Sequence, residues 1–413
     1  MDELTLMTSS QTDIVLLFST RIIRLFAYGF ISVILALYLA EIGLSEYAIG
    51  LLLSLTLAGD VLVSLWITTV ADRIGRKRML IVGAALMAFA GAAFVSTSNP
   101  ILLTIAAIIG IISPSGNEIG PFLSIEQAAL SQLLPDEKRT SAFGWYNLAG
   151  SFATAVGALS SGWIAEFLQK SEFTAAESYR IILFGYCASG VLLILFFIGL
   201  SSAVETVRNP NNGYKMGLHR SRKVVIRLSA LFALDAFAGG FIVQSMMAYW
   251  FYLRFGVDTG VLGSIFFGAN ILAGISALLA ARISKYIGLI NTMVFTHIPS
   301  NVLLCLVPLM PNLEWAIAVL LLRFSISQMD VPTRQSYTMA VVAPDERTAA
   351  SGITNIARSV GASLSPALCG LFLANPMLIS VPFFLSGGLK IIYDLALYRS
   401  FKTLKPPEEQ RTS

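Results

Sequence analysis

The chain has 413 residues, of which 56% are hydrophobic and 13% are charged; typical soluble proteins carry about 25% charged residues. A water-soluble fold has no room to bury that much apolar surface, which excludes an ordinary soluble enzyme, and the same composition excludes disorder. The formal net charge is only +4, so where the charges sit matters more than their sum.

In chain order, twelve apolar stretches recur, at 14–41, 47–70, 78–98, 100–133, 140–168, 178–200, 225–254, 259–283, 287–310, 313–342, 348–373 and 377–399. Each reaches the roughly 20 residues that cross a bilayer as a helix. They carry Gly and Pro freely, as membrane helices do, and lack the short alternating segments of a barrel. The spacing predicts an all-α membrane protein of twelve transmembrane helices.

The basic residues set the orientation. With the N-terminus inside, the inner loops and C-terminal tail hold most of the 28 Lys and Arg, including Arg73, Arg76, Lys77, Arg78, Lys138, Arg139, Arg208, Lys215, Arg220, Arg222, Lys223, Arg282, Lys285 and Arg347. The outer loops hold only Lys170, Arg180 and Arg254. Both termini are therefore expected in the cytoplasm. The N-terminus is acidic and lacks the basic region of a cleaved leader. The longest polar segment, 201–224, reads as a cytoplasmic linker between an N-terminal six-helix bundle (1–200) and a C-terminal one with a short tail (225–413).

The two halves repeat. Leu134-Pro135-Asp136-Glu137-Lys138-Arg139-Thr140 matches Ala343-Pro344-Asp345-Glu346-Arg347-Thr348 with one residue gapped, and Gly144, Asn147 and Ala149 then pair with Gly352, Asn355 and Ala357. Upstream, Glu126-Gln127 falls opposite Gln335-Ser336, and Ile74-Gly75 matches Ile287-Gly288. A same-orientation repeat at half the length is the mark of a transporter built from two parallel bundles.

The loop after the second helix reads Ala71-Asp72-Arg73-Ile74-Gly75-Arg76-Lys77-Arg78. It resembles the loop signature of the major facilitator superfamily, Gly-x-x-x-Asp-Arg-x-Gly-Arg-Arg/Lys. Thr68 stands at the leading Gly, and the matching loop of the second half, Lys285-Tyr286-Ile287-Gly288-Leu289, has lost most of the charges. The resemblance spans the whole chain. It implies two six-helix bundles with pseudo-two-fold symmetry, alternating access, and a central cavity lined by helices 1, 4, 7 and 10. It also implies a gating role for Asp60, Asp72, Arg73, Gly75, Arg76 and Lys77. The superfamily's helix-4 Arg motif and the helix-5 Gly-Pro element of its drug antiporters are absent.

Charges inside the membrane are costly and face a cavity or one another. Six acids lie in the spans (Asp60, Glu118, Glu126, Asp235, Asp330, Asp394), against six bases (Arg21, Arg24, Arg323, Arg334, Arg358, Lys390). On helix 1, Arg21, Arg24 and Tyr28 share a face; Arg21 is expected to snorkel to the interface. Glu126 is expected to pair with Arg24 or with an Arg of helix 10 or 11. Asp330 and Arg334 stand one turn apart and can neutralise each other, and Asp235 is expected either to pair with a base of helix 10 or 11 or to titrate. Asp235, Glu126, Glu118 and Asp330 are the proton-coupling candidates, because a desolvated carboxylate can cycle a proton. Arg24, Tyr28, Gln244, Tyr249 and Arg334 are the substrate-cavity candidates.

Cys187, Cys305 and Cys369 read as inert core thiols, and with only His219 and His297 no His-based metal centre or triad is expected. There is no Walker A sequence, so ATP is not the energy source. The expectation is a secondary transporter with no cofactor, no metal and no enzymatic site. Its partners are a small molecule, protons and the lipid bilayer, with no nucleic acid, and it works as a monomer in the cell (inner) membrane. Its leading reading is proton-coupled efflux of a small amphipathic molecule, with proton-coupled import of a small organic anion as the alternative. A non-transporting sensor is disfavoured because a linker of roughly 20 residues is too short for a sensing domain.

Overall fold

The structure, a computed structural model, describes residues 3–117, 120–205, 220–343 and 346–404; at 3–10, 72, 136–138, 140–141 and 348 it describes the backbone only. It is built of α-helices, with no strand among the described residues. In order they are α1 (Glu3–Ser32), α2 (Leu35–Glu41), α3 (Glu46–Ile74), α4 (Arg76–Ser96), α5 (Pro100–Ile109), α6 (Phe122–Leu133), α7 (Asp136–Lys170) and α8 (Ala175–Ile198). The second half continues with α9 (Arg222–Gly240), α10 (Gln244–Phe255), α11 (Thr259–Ile287), α12 (Leu289–Leu306), α13 (Leu313–Phe324), α14 (Asp330–Val341), α15 (Arg347–Leu373) and α16 (Val381–Phe401).

Ten segments among the described residues are long and apolar enough to cross a membrane. The fourth and tenth expected spans fall outside that number because each is broken into two short helices, α5 with α6 and α13 with α14. The first and seventh spans break as well, between α1 and α2 and between α9 and α10. The causes are local. Between α5 and α6 the chain holds Pro114 and Pro121, with Gly116 and Gly120 at φ 69° and 80°, where proline withholds an amide and glycine takes the left-handed turn. Between α9 and α10 the break follows Gly239-Gly240. The four broken spans are those that the resemblance assigns to the cavity.

The halves pack alike. α1 lies along α7 and α4 on α8, while α9 lies along α15 and α12 on α16. Gly75 (φ 120°) and Gly288 (φ 84°) turn the chain into α4 and α12; both positions need glycine. One register expectation changes. Arg139 Nε donates to the Ser131 carbonyl at 2.6 Å, and Arg347 Nε to the Met339 carbonyl at 2.9 Å. The shift that moves Arg139 onto Arg347 also moves Ser131 onto Met339, and both ends of α6 onto those of α14. Glu126 therefore stands opposite Arg334 and not opposite Gln335. The Pro-Asp-Glu strings Pro135-Asp136-Glu137 and Pro344-Asp345-Glu346 match in the sequence at a shift one residue longer than the one that relates the helices.

The chain divides into two compact units. One is Met1–Ser45, Leu55–Pro210 and Gly256–Phe267; the other is Glu46–Ser54, Asn211–Phe255 and Gly268–Ser413. The first turns of α3 thus go with the second unit and those of α11 with the first. Glycine permits both associations: a Cβ on Gly370 of α15 would stand 2.3 Å from the Glu46 carbonyl, and one on Gly162 of α7 would stand 2.4 Å from that of Thr259.

Candidate functional site

In the first unit, α1 and α6 meet at an ion pair. Arg24 donates from Nη1 to Glu126 Oε1 at 2.7 Å and from Nη2 to Oε2 at 2.6 Å. Both side chains are fully buried. Thr20 donates to Glu126 Oε1 at 3.0 Å, and the Tyr146 hydroxyl of α7 donates to Oε2. Arg24 also lies 4.6 Å from the centre of the Phe122 ring. The carboxylate is thus neutralised and its lone pairs are occupied, which is what burial of an ion pair requires. Tyr28, one turn further along α1, is buried too.

Arg21 does not snorkel. It is 6% exposed, donates from Nε to the Tyr146 carbonyl at 3.1 Å and from Nη2 to Asn147 Oδ1 at 3.3 Å, and lies over the Tyr146 ring. A carbonyl, an amide and an aromatic face on α7 replace the interfacial water that snorkelling would have sought.

In the second unit one carboxylate gathers three cations. Asp235 of α9 accepts from Lys390 Nζ of α16 at 2.6 Å, and from Arg334 of α14 and Arg358 of α15 at 3.2 Å each. Arg334 also reaches Asp330 at 2.7 Å, one turn back on α14. Asp235, Asp330 and Arg334 are buried, whereas the Arg358 side chain is 29% exposed. Three bases therefore face two carboxylates.

The two clusters are related by the repeat, with their charges exchanged. The shift that carries α6 onto α14 carries Glu126 onto Arg334. On the other arm, a Cβ on Gly29 would meet the Thr154 carbonyl and a Cβ on Gly240 the Ala362 carbonyl. Moving Gly29 onto Gly240 carries Arg24 onto Asp235. The first half places its base on the first helix and its acid on the fourth, and the second half does the reverse.

The remaining candidates lie elsewhere. Gln244 accepts from Asn270 Nδ2 at 3.2 Å, and the Tyr249 hydroxyl donates to Glu46 at 3.2 Å. Glu118 lies outside the described residues. Asp60 accepts from Ser64 at 3.3 Å within α3. In the gating loop Arg73 is exposed, and of Asp72 only the backbone is described. Arg76 donates to Gln132 at 3.1 Å and Lys77 to the Leu200 carbonyl at 2.7 Å. The Glu205 carboxylate accepts from the Arg76 and Lys77 amides at 2.7 and 3.3 Å. Glu205, at the end of the described linker, thus caps α4.

Sequence reasoning offered a base of helix 10 or 11 as a partner for Asp235, which Arg334 and Arg358 supply, but it did not bring Lys390 of the last helix there, because that helix is far from α9 in the chain. It also passed over a second buried pair: His297 Nδ1 of α12 lies 2.9 Å from Asp394 Oδ1 of α16, and Asn301 donates to Oδ2 at 3.2 Å. The available signal was spacing, since His297 and Asn301, and likewise Lys390 and Asp394, stand one helical turn apart.

Paired helical units with broken first and fourth members, ten segments long and apolar enough to cross a membrane, and ion clusters buried among them define a polytopic membrane protein. The chain belongs to the Major Facilitator Superfamily, whose sequence profile matches residues 17–411. It is 30% identical over 417 residues to an uncharacterized membrane protein of Saccharomyces cerevisiae, covering 93% of each chain. It is 22% identical over 373 residues to multidrug resistance protein 1 of Bacillus subtilis, covering 88% of this chain and 90% of that protein. In fold it is similar to the crystal structure of the nucleoside transporter NupG, with a TM-score of 0.72 at 14% identity over 94% of this chain and 99% of that one.

Proposed function

We propose that this transporter carries a small organic anion together with protons by alternating access, with both termini in the cytoplasm. The observation behind the reading is the Asp235 cluster. Lys390, Arg334 and Arg358 outnumber Asp235 and Asp330, and Arg358 is the open member. An arginine held by one oxygen at 3.2 Å keeps donors for a second carboxylate, and its planar fork suits a carboxylate or phosphate. Glu126, closed on all sides, serves as the first unit's structural anchor in this reading. Asp235 serves as the counter-ion that holds three bases together, since a proton on it would leave three cations around a neutral acid.

Export of a small amphipathic molecule in exchange for protons is the second reading. It is favoured by the likeness to the multidrug resistance protein of Bacillus subtilis and to the quinolone resistance protein NorA of Staphylococcus aureus, 22% identical over 156 residues, 38% of this chain.

Proteoliposomes separate the two. Vesicles acidified outside are given radiolabelled p-aminohippurate, an impermeant organic anion, or ethidium, an amphipathic cation. Protonophore-sensitive uptake of p-aminohippurate that Arg358→Gln weakens is the result expected. Protonophore-sensitive movement of ethidium alone overturns the anion reading in favour of the second.

A further inference from the structure

The pair formed by His297 and Asp394 stands behind the Asp235 cluster and is not used in the reading above. Asp394 is fully buried and His297 is 4% exposed. Among the described residues, the Asp394 carboxylate accepts hydrogen bonds from His297 and Asn301. Lys390, one turn earlier on the same helix, is committed to Asp235 at 2.6 Å. The pair is in electrostatic contact with the cluster: His297 with Asp235, and Asp394 with both Asp235 and Lys390.

Its neighbours are Asp235 on α9 and Lys390 and Tyr393 on α16, the Tyr393 ring meeting the imidazole edge-on at 6.1 Å. Arg334 and Asp330 of α14 and Arg358 of α15 join through Asp235. Arg323 of α13 lies in electrostatic reach of Asp330. With a neutral imidazole, the three carboxylates Asp235, Asp330 and Asp394 face four bases, Arg323, Arg334, Arg358 and Lys390. A carboxylate only accepts, so His297 Nδ1 carries the hydrogen of the bond to Asp394, and the lone pair on Nε2 is the place for another proton. Adding that proton breaks no bond and moves no electrons, and it raises the excess positive charge of the assembly from one to two.

We infer that His297 and Asp394 form the proton-binding site of the transport cycle, and that their protonation adds to the positive charge against which the anion docks at Arg358. The inference rests on the anion reading above. It makes proton and anion bind cooperatively, the requirement for carrying them in the same direction. A cation expelled in exchange for protons would need the opposite sign of coupling.

The test uses the full chain in detergent. The chain contains two histidines, so the His219→Gln protein with isotope-labelled histidine gives one imidazole resonance, that of His297, without a substitution in the membrane. Its titration is followed with and without p-aminohippurate, and the affinity for p-aminohippurate is measured at about pH 8 and about pH 5.5, the range in which histidine changes charge. We expect affinity to tighten about fivefold or more on acidification, and the resonance midpoint to move on adding the anion by the amount reciprocity demands. His297→Gln is expected to make the affinity independent of pH. Binding that is already independent of pH in the parent protein, with a resonance indifferent to the anion, overturns the inference and leaves the anion reading standing. Failure of p-aminohippurate to bind at either pH overturns the anion reading and takes the inference with it.

Discussion

Arg24 and Glu126 are joined by two parallel bonds of 2.7 and 2.6 Å, with neither side chain exposed. A pair so placed is sensitive to the loss of one member, because the survivor becomes a buried, unpaired charge. Glu126→Gln is expected to cost about 3–5 kcal/mol. Differential scanning fluorimetry of the detergent-solubilised protein checks this as a lowered Tm. The exchange Arg24→Glu with Glu126→Arg restores opposite charges and is expected to recover part of the loss.

The second unit makes the complementary prediction. Asp235→Asn leaves Lys390, Arg334 and Arg358 close together with one counter-ion fewer, and is expected to destabilise more than Lys390→Met. The double variant Asp235→Asn, Lys390→Met is expected to lose less than the sum of the two single losses, by about 0.5–3 kcal/mol of coupling. Additive stability changes across the four proteins of this cycle would separate Lys390 from Asp235 energetically, despite their 2.6 Å contact.

Arg358 is the base with the least to lose from substitution, since its side chain is 29% exposed. Arg358→Gln is expected to weaken p-aminohippurate by about tenfold, the equivalent of 1.4 kcal/mol. Isothermal titration at constant pH reads the affinity, and the Tm without ligand shows whether the fold is intact.

Glu205 caps the amides of Arg76 and Lys77 at the start of α4. Glu205→Ala removes a helix cap worth about 1 kcal/mol. Hydrogen exchange at Arg76–Arg78 is expected to quicken about fivefold, the factor for that energy, while exchange within α12 stays as it was. Unchanged protection at α4 would mean that the amides find another acceptor.

Gly370 leaves no room for a side chain, since a Cβ there would stand 2.3 Å from the Glu46 carbonyl. Gly370→Leu is expected to destabilise by about 1–3 kcal/mol or more, and Gly162→Leu, the matching position in α7, by a similar amount. Size-exclusion profiles and Tm values read both.

Hydropathy and the repeat made the twelve-span fold legible in the sequence, because a bilayer acts on each span separately and each span carries its own length. The i, i+4 bond between Arg334 and Asp330 was legible for the same reason: both lie on one helix turn. Chain order does not bring together residues on distant helices. Only the tertiary packing chose Glu126 for Arg24 and buried Arg21 against Tyr146. It also collected Lys390 and Arg358 on Asp235, and joined His297 to Asp394 across α12 and α16. Each of these charges had several possible partners in the composition. The choice among them was made by which helix faces met, and each unpaired charge left in the membrane would have cost several kcal/mol.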